Sequence, residues 1–212
     1  GVCIEGVELG RLSYASLGML RGEVRVSVPE EYDWTRFGAT SAIIILNDVL
    51  NAVNGIRLPR RPRTSIVIGS IEGGKSYNTI ATNAFLRFEI RSESAAMVRE
   101  IRRSMNHIAS EISSKYGAQV DVEIFARRQP GGISFGHPLA HSARRIMRSL
   151  RIAARVSPSV SELSAFIDRH IPAITIGLST GERLSERDET IEINRMFTGV
   201  AQLLGILLAI DG

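Results

Sequence analysis

The sequence predicts a mixed α/β (α+β) chain built around a ferredoxin-like βαββαβ unit. Three observations lead there. Four stretches between Leu20 and Ile124 alternate or nearly alternate apolar and polar residues at the two-residue period of a strand with one wet face. Two amphipathic patterns of helical period interrupt them, and the resulting order, βαββαβ, is the split arrangement of ferredoxin-like folds. After Arg127-Arg128-Gln129-Pro130-Gly131-Gly132 the pattern changes to single short elements that belong to a different unit.

The chain opens on Gly1-Val2-Cys3-Ile4-Glu5-Gly6, which reads like the end of a buried strand, with no initiator Met, basic n-region or signal-peptide core. A buried strand at residue 1 suggests that the chain begins inside a larger fold. From Leu20 to Val28, Leu20, Gly22, Val24, Val26 and Val28 share one side and Arg21, Glu23, Arg25 and Ser27 the other. A helix follows, capped by Thr40 or Ser41 and closed by Asn54-Gly55. Its apolar set, Ile43, Ile44, Ile45, Leu46, Val49, Leu50 and Val53, is wider than one face, so it is expected to pack both inward and against a neighbour.

Thr64 to Ile71 and Ile80 to Ile90 read as two strands joined by the turn-rich segment Glu72 to Asn78. A long helix from Ser92 to Tyr116 carries Ile101, Met105, Ile108 and Ile112 at helical spacing and ends at Gly117. Val120, Val122 and Ile124 form the fourth strand. Beyond it lie a helix with Pro138 at its first position running to Leu150, capped by Gly136 or His137, and a second strand at Arg151 to Val156. A short helix near Ser161 to Arg169, a buried strand at Ala173 to Gly177, a polar loop to Asp188 and an apolar helix from Asn194 to Ile210 follow. These strands are too few for a sheet, so they need partners from residues 1 to 16 or from sequence outside this chain.

Composition narrows the function classes. At 212 residues, 44% hydrophobic and 23% charged, the chain can bury a real core and is not disordered. The longest nearly unbroken apolar run, Gly199 to Ile210, is about 12 residues and includes Gln202, short of the roughly 20 that span a bilayer, so no membrane partner is expected. The one cysteine, Cys3, cannot form an internal disulfide, which fits a reducing compartment and a cytoplasmic location. Only Lys75 and Lys115 among the basic residues are lysine. Arginine favours phosphate and carboxylate, yet Arg102, Arg103, Arg144, Arg145 and Arg148 sit on polar helix sides without interleaved aromatics. The cluster Arg57-Leu58-Pro59-Arg60-Arg61-Pro62-Arg63 carries two prolines and reads as a connecting loop, so no nucleic acid partner is expected.

Three constellations resolve into ordinary structure. His137 and His141 stand at metal-binding spacing, but no carboxylate completes the set and His137 precedes Pro138 as a cap. Gly69-Ser70-Ile71-Glu72-Gly73-Gly74-Lys75-Ser76 has the spacing of a phosphate loop, but a strand rather than a helix follows the lysine. Cys3 lies in apolar surroundings without a nearby histidine and reads as core.

The segment from Gly69 to Ile80, followed by Phe88-Glu89-Ile90-Arg91-Ser92, resembles the lid-domain signature of M20-type zinc metallopeptidases. Asp33 to Ile43 resembles the family's entry into the first lid helix. Gln129-Pro130-Gly131-Gly132 resembles its exit turn, and His170-Ile171-Pro172 leading to Gly177, with Asp188-Glu189 after it, its Gly-Ile-Pro strand and last metal loop. The resemblance runs over the whole chain. It implies a ferredoxin-like lid at residues 17–128, inserted in a partial α/β zinc-peptidase catalytic domain at 1–16 and 129–212, with homodimerisation through the lid.

The resemblance further implies a parent that hydrolyses peptide or amide bonds in small peptides or acylated amino acids, with two zinc ions as cofactor. The family's His-x-Asp motif, bridging aspartate and catalytic Glu-Glu pair have no counterparts here, so zinc is not expected to bind this chain alone and no catalytic residue is assigned. One metal carboxylate matches, Glu5. The substrate-contacting asparagine corresponds to Asn78, the lid histidine to Tyr32, and the carboxylate-binding arginine to Gln129, unless a one-residue shift puts Arg128 there. The final zinc histidine becomes Ser185, a Thr-Asp pair becomes Ser161-Glu162, and a glycine becomes His170. These departures fall at chemistry positions while structural glycines and prolines persist. They leave a rival expectation, a catalytically inactive homologue serving as a dimeric binding or assembly module.

Overall fold

The computed structural model describes residues 1–29, 40–159, 161–184 and 186–211. The chain forms two compact units, one from Gly1–Leu17 with Gln129–Gly212 and the other from Gly18–Arg128. Three short strands open it, β1 (Val2–Glu5), β2 (Arg11–Ser13) and β3 (Ala15–Ser16). The central unit then contributes β4 (Gly18–Ser27), α1 (Ala42–Asn54), β5 (Thr64–Gly73), β6 (Asn83–Ser92), α2 (Ala95–Tyr116) and β7 (Gln119–Arg128). The chain closes with β8 (Gly131–Gly132), α3 (Pro138–Ser149), β9 (Arg155–Val156), α4 (Leu163–Asp168), β10 (Ile174–Gly177), β11 (Gly181–Glu182), β12 (Thr190–Ile191) and α5 (Ile193–Asp211).

The central unit has the expected βαββαβ order and an antiparallel sheet ordered β5-β6-β4-β7. Alternation decides which face is buried. Val24 and Val26 on β4 and Leu86 and Ile90 on β6 are at most 1% exposed beneath the helices, together with Ile101 and Met105 of α2. Ser41 caps α1 by accepting from the Ile43 amide at 3.2 Å, and Ser94 caps α2 through Met97. The expected start of α2 at Ser92 moves to Ala95 because the Ser92 hydroxyl is engaged by the Ser94 amide and by Thr64. Asp48 on α1 accepts from Lys115 at 2.8 Å and from the Tyr116 hydroxyl at 2.6 Å, tying α1 to the end of α2.

The opposite sheet face carries an ion-pair ladder. Glu23, only 6% exposed, lies 3.0 Å from Arg25 and 3.2 Å from Arg87, whose second nitrogen meets Glu72. Glu89 is held between Arg21 and Arg91.

In the other unit residues 1 to 16 do complete the sheet, ordered β1-β10-β2-β9. β1 runs parallel to β10 with Cys3 opposite Thr175 and Glu5 opposite Gly177, while β2 is antiparallel to β10. The strand expected at Arg151 to Val156 shortens to Arg155–Val156, because Arg151 and Ile152 are spent closing α3 through bonds to the carbonyls of Arg148 and Met147. β3 pairs with β8. Leu12, Met147, Ile174 and Ile176 form one core with Ile206 of α5, and Cys3, Leu163 and Ala173 a smaller one.

α5 corrects the expectation drawn from apolar run length. Interrupted only by scattered polar residues, Ile193–Ile210 has a mean hydropathy of 1.6 over 18 residues, enough by length and composition to cross a membrane. Its inner side is fitted to this unit. Gln202 is fully buried and donates to the Gly177 carbonyl, and Gly199 approaches the Leu178 backbone so closely that a Cβ would collide with it. Its outer side is bare, with Phe197, Leu204 and Leu208 exposed.

Candidate functional site

Glu5 ends β1 at the carboxyl edge of the parallel β1–β10 pair, where open α/β sheets place their ligands. Its backbone carbonyl accepts from Leu178, and its side chain is half-buried. Two residues earlier, burial pushes the Cys3 thiol up, helped by the Glu162 and Glu5 carboxylates and opposed by contact with the Thr175 hydroxyl. The thiol is therefore a packed core group rather than a nucleophile. Glu162 thus lies within electrostatic reach of the strand that carries Glu5.

Gln129 is placed elsewhere. It lines a cleft of about 670 Å³ with Pro130, Ile133, Ile167, Asp168 and His170, floored by Pro172 and Ala173. Those last two residues precede β10, whereas Glu5 is level with its final residue. At about 3.3 Å per strand residue, Ala173 in the cleft and the Gly177 level of Glu5 are roughly 13 Å apart along β10, so the cleft that Gln129 lines lies toward the other end of that strand from Glu5. The pairing of β3 with β8 holds the exit turn at the amino edge of β10. Asp168 in that cleft carried no signal in the sequence, and His170 stood out only as a replacement for a glycine. His170 takes a left-handed backbone with φ 56°, which explains why a glycine suits this position.

Asn78 lies in the loop between β5 and β6, and its Oδ1 accepts from Ser76 at 2.9 Å, so part of its hydrogen-bonding capacity shapes the turn. Beside the loop, Glu72, Lys75, Thr79 and Phe85 line a cleft of about 500 Å³. Tyr32 and Ser185 lie outside the described residues, as does most of the segment from Asp33 to Ile43. His137 caps α3 by accepting from the Leu139 amide at 3.2 Å. No helix follows Lys75, which leads through a loop into β6.

Among the described residues no group of three or more His, Cys, Asp or Glu side chains converges on a metal position. Glu5 is one carboxylate, and a zinc site takes three or four ligands. The donors among the described residues therefore do not fit a zinc centre by themselves.

α1 is two-faced. Ala42, Ile45, Leu46, Val49 and Val53 are buried, whereas Ile43 and Ile44 are 44% and 54% exposed. Ile43 lies against Gly73 and Gly74 at the end of β5, an edge strand whose Val67 and Ile71 are also exposed. Ile71, opposite the buried Leu86, faces the helix side as Ile43 and Ile44 do, whereas Val67, opposite Glu89, faces the ion-pair side.

Residues 36–117 match the family model of the peptidase dimerisation domain. No curated protein sequence matches the chain. Among solved structures, a tripeptidase from Staphylococcus aureus aligns with TM-score 0.85 and 19% identity over 100% of this chain and 57% of its own. The aminopeptidase PepT from Bacillus cereus aligns with TM-score 0.82 and 16% identity over the same shares. A hydantoinase/carbamoylase family amidase from Burkholderia ambifaria gives 0.66 and 17%, over 95% of this chain and 49% of its own. At these identities the likeness establishes the fold, and the chain spans about half the length of these relatives.

Proposed function

We propose, from the premise that residues 36–117 are an M20-type peptidase dimerisation domain, that the chain is the lid and adjoining α/β portion of a peptidase or amidohydrolase. Alignment of all of this chain with 57% of a tripeptidase and of an aminopeptidase supports the reading. The substrates are small peptides or acylated amino acids. The observation that supports the dimerisation role is the exposed apolar set of Ile43 and Ile44 on α1 with Ile71 on edge strand β5.

In this reading Glu5 would be one carboxylate ligand of a zinc site that the described residues do not complete. Zinc would supply a metal-activated water. Gln129 is a neutral amide where the family uses a charged fork, so it contributes hydrogen bonding rather than charge to a substrate carboxylate.

The test is hydrolysis of di- and tripeptides and N-acyl amino acids by the complete reading frame that carries these residues, with and without zinc and chelator. Turnover that chelator abolishes supports the enzyme. The substitutions at Tyr32, Gln129 and Ser185 favour a second reading, a dimeric binding module without catalysis. Metal-free, inactive and dimeric protein would establish it.

A further inference from the structure

Three exposed arginines, Arg151, Arg155 and Arg195, line a cleft of about 390 Å³ in the unit built from the chain ends. Arg151 comes from the turn after α3, Arg155 from β9 and Arg195 from the first turn of α5. Thr198 adds a hydroxyl, Thr180 donates its own to Glu192 at 2.6 Å, and Leu9, Leu150 and Ile152 give an apolar wall. The cleft is built by backbone. Arg155 donates its amide to the Gly10 carbonyl at 2.7 Å and its side chain to Leu9 at 3.2 Å, while the Leu9 amide reaches Ser179 at 2.6 Å. Gly10 has φ 100°, and a Cβ there would meet the Ala153 carbonyl at 2.6 Å, so the two loops close on each other only through a glycine.

The charges are poorly compensated. Among the described residues no carboxylate pairs with Arg151 or Arg155, and Arg195 has only Glu192 at 3.8 Å, whose oxygen is also taken by Thr180. Arg11, opposite Arg155 in the sheet, is spoken for by Glu8. Arg151 adopts φ 55° at the position just past the α3 cap, where Arg151 and Ile152 bond back to Arg148 and Met147. Glycine ordinarily fills that place because it alone enters the left-handed region without steric cost. Here an arginine takes it and lines the cleft.

Across the sheet order β1-β10-β2-β9, Arg155 is three strand spacings, roughly 14 Å, from the strand of Glu5. We infer that this arginine cleft binds a phosphomonoester, its phosphate held by Arg151, Arg155 and Arg195 and its organic part against Leu9, Leu150 and Ile152. A planar carboxylate is satisfied by one arginine fork, whereas three arginines and the Thr198 hydroxyl arriving from separate segments match the several oxygens of a tetrahedral dianion. The inference does not rest on peptidase activity.

Titration calorimetry of the whole chain with adenosine monophosphate, inorganic phosphate and adenosine tests it. Adenosine monophosphate should bind most tightly, phosphate more weakly and adenosine not measurably. Arg151→Gly should weaken adenosine monophosphate at least tenfold without loss of fold, since glycine suits that backbone, and Arg195→Gln should do likewise. Arg145→Gln, which removes the same charge from an exposed position on α3, should leave binding unchanged. No binding of either phosphate, equal binding of adenosine, an unaffected Arg151→Gly, or equal loss in Arg145→Gln would each overturn it.

Discussion

Two adjacent residues on α1 separate what holds the lid together from what it offers a partner. Ile45 is 1% exposed and Ile44 is 54% exposed. Ile45→Ala removes three buried carbons, about 2.4 kcal/mol at ~0.8 kcal/mol each. The cavity left behind raises the cost to about 3–4 kcal/mol. Ile44→Asp removes little that is buried in the single chain and should change its stability by less than about 0.5 kcal/mol. In a two-fold dimer the same change acts twice. Covering the exposed half of each isoleucine contributes about 1 kcal/mol, so losing both costs about 2 kcal/mol, or roughly thirtyfold in Kd before the carboxylates are desolvated. Urea unfolding followed by circular dichroism reads the first quantity, and sedimentation equilibrium over a concentration series reads the second. A destabilisation by Ile44→Asp as large as that of Ile45→Ala would refute the assignment of helix faces. An unchanged dimer constant in Ile44→Asp would refute α1 as the interface.

On the open sheet face, Arg87→Ala should cost about 1–3 kcal/mol because it leaves the buried Glu23 carboxylate with Arg25 alone. Glu23→Leu should stay within about 1 kcal/mol, since its arginine partners are already half in water, and a reversed order by urea titration would count against this asymmetry. Acid should weaken the lid. Lys115 and then Tyr116 hold the Asp48 carboxyl below its ordinary value, the Arg63 amide and guanidinium do the same for Glu93, and for Glu89 burial is outweighed by Arg21 and Arg91. Because these folded values are depressed, their contribution is complete above the unfolded carboxylate range near pH 4 and is lost as pH falls through the lower folded values. A melting temperature that does not fall between pH 5 and pH 3, or an Asp48→Asn variant with an undiminished fall, would contradict this. Native Cys3 should react with thiol reagents only slowly and accelerate in denaturant, and rapid modification of the folded chain would show that the thiol is not packed.

The lid was legible because its elements each carry a long, clean period. Ten-residue strands such as Gly18–Ser27 and the 22-residue α2 repeat their pattern often enough to declare both type and inward face. The strands of the other unit have two to four residues, too short for a period, and one of them vanished mostly into the cap of α3. Run length also misjudged α5, whose interior Gln202 and Gly199 interrupt the apolar sequence because they are the points at which the helix seats on β10. The site was less readable. Glu5 is level with the last residue of β10 while Gln129 lines a cleft at its start, and the register that sets Glu5 opposite Gly177, so far along the chain, leaves no trace in local sequence. The arginine cleft was hidden for the same reason, since Leu9, Arg151, Arg155 and Arg195 meet only once three segments have packed.

Sedimentation equilibrium of the unmodified chain, from low to high micromolar concentration, tests the dimerising lid most directly. The account predicts a species of twice 23.2 kDa that dissociates reversibly on dilution. A mass of 23.2 kDa that persists at high micromolar concentration would contradict it.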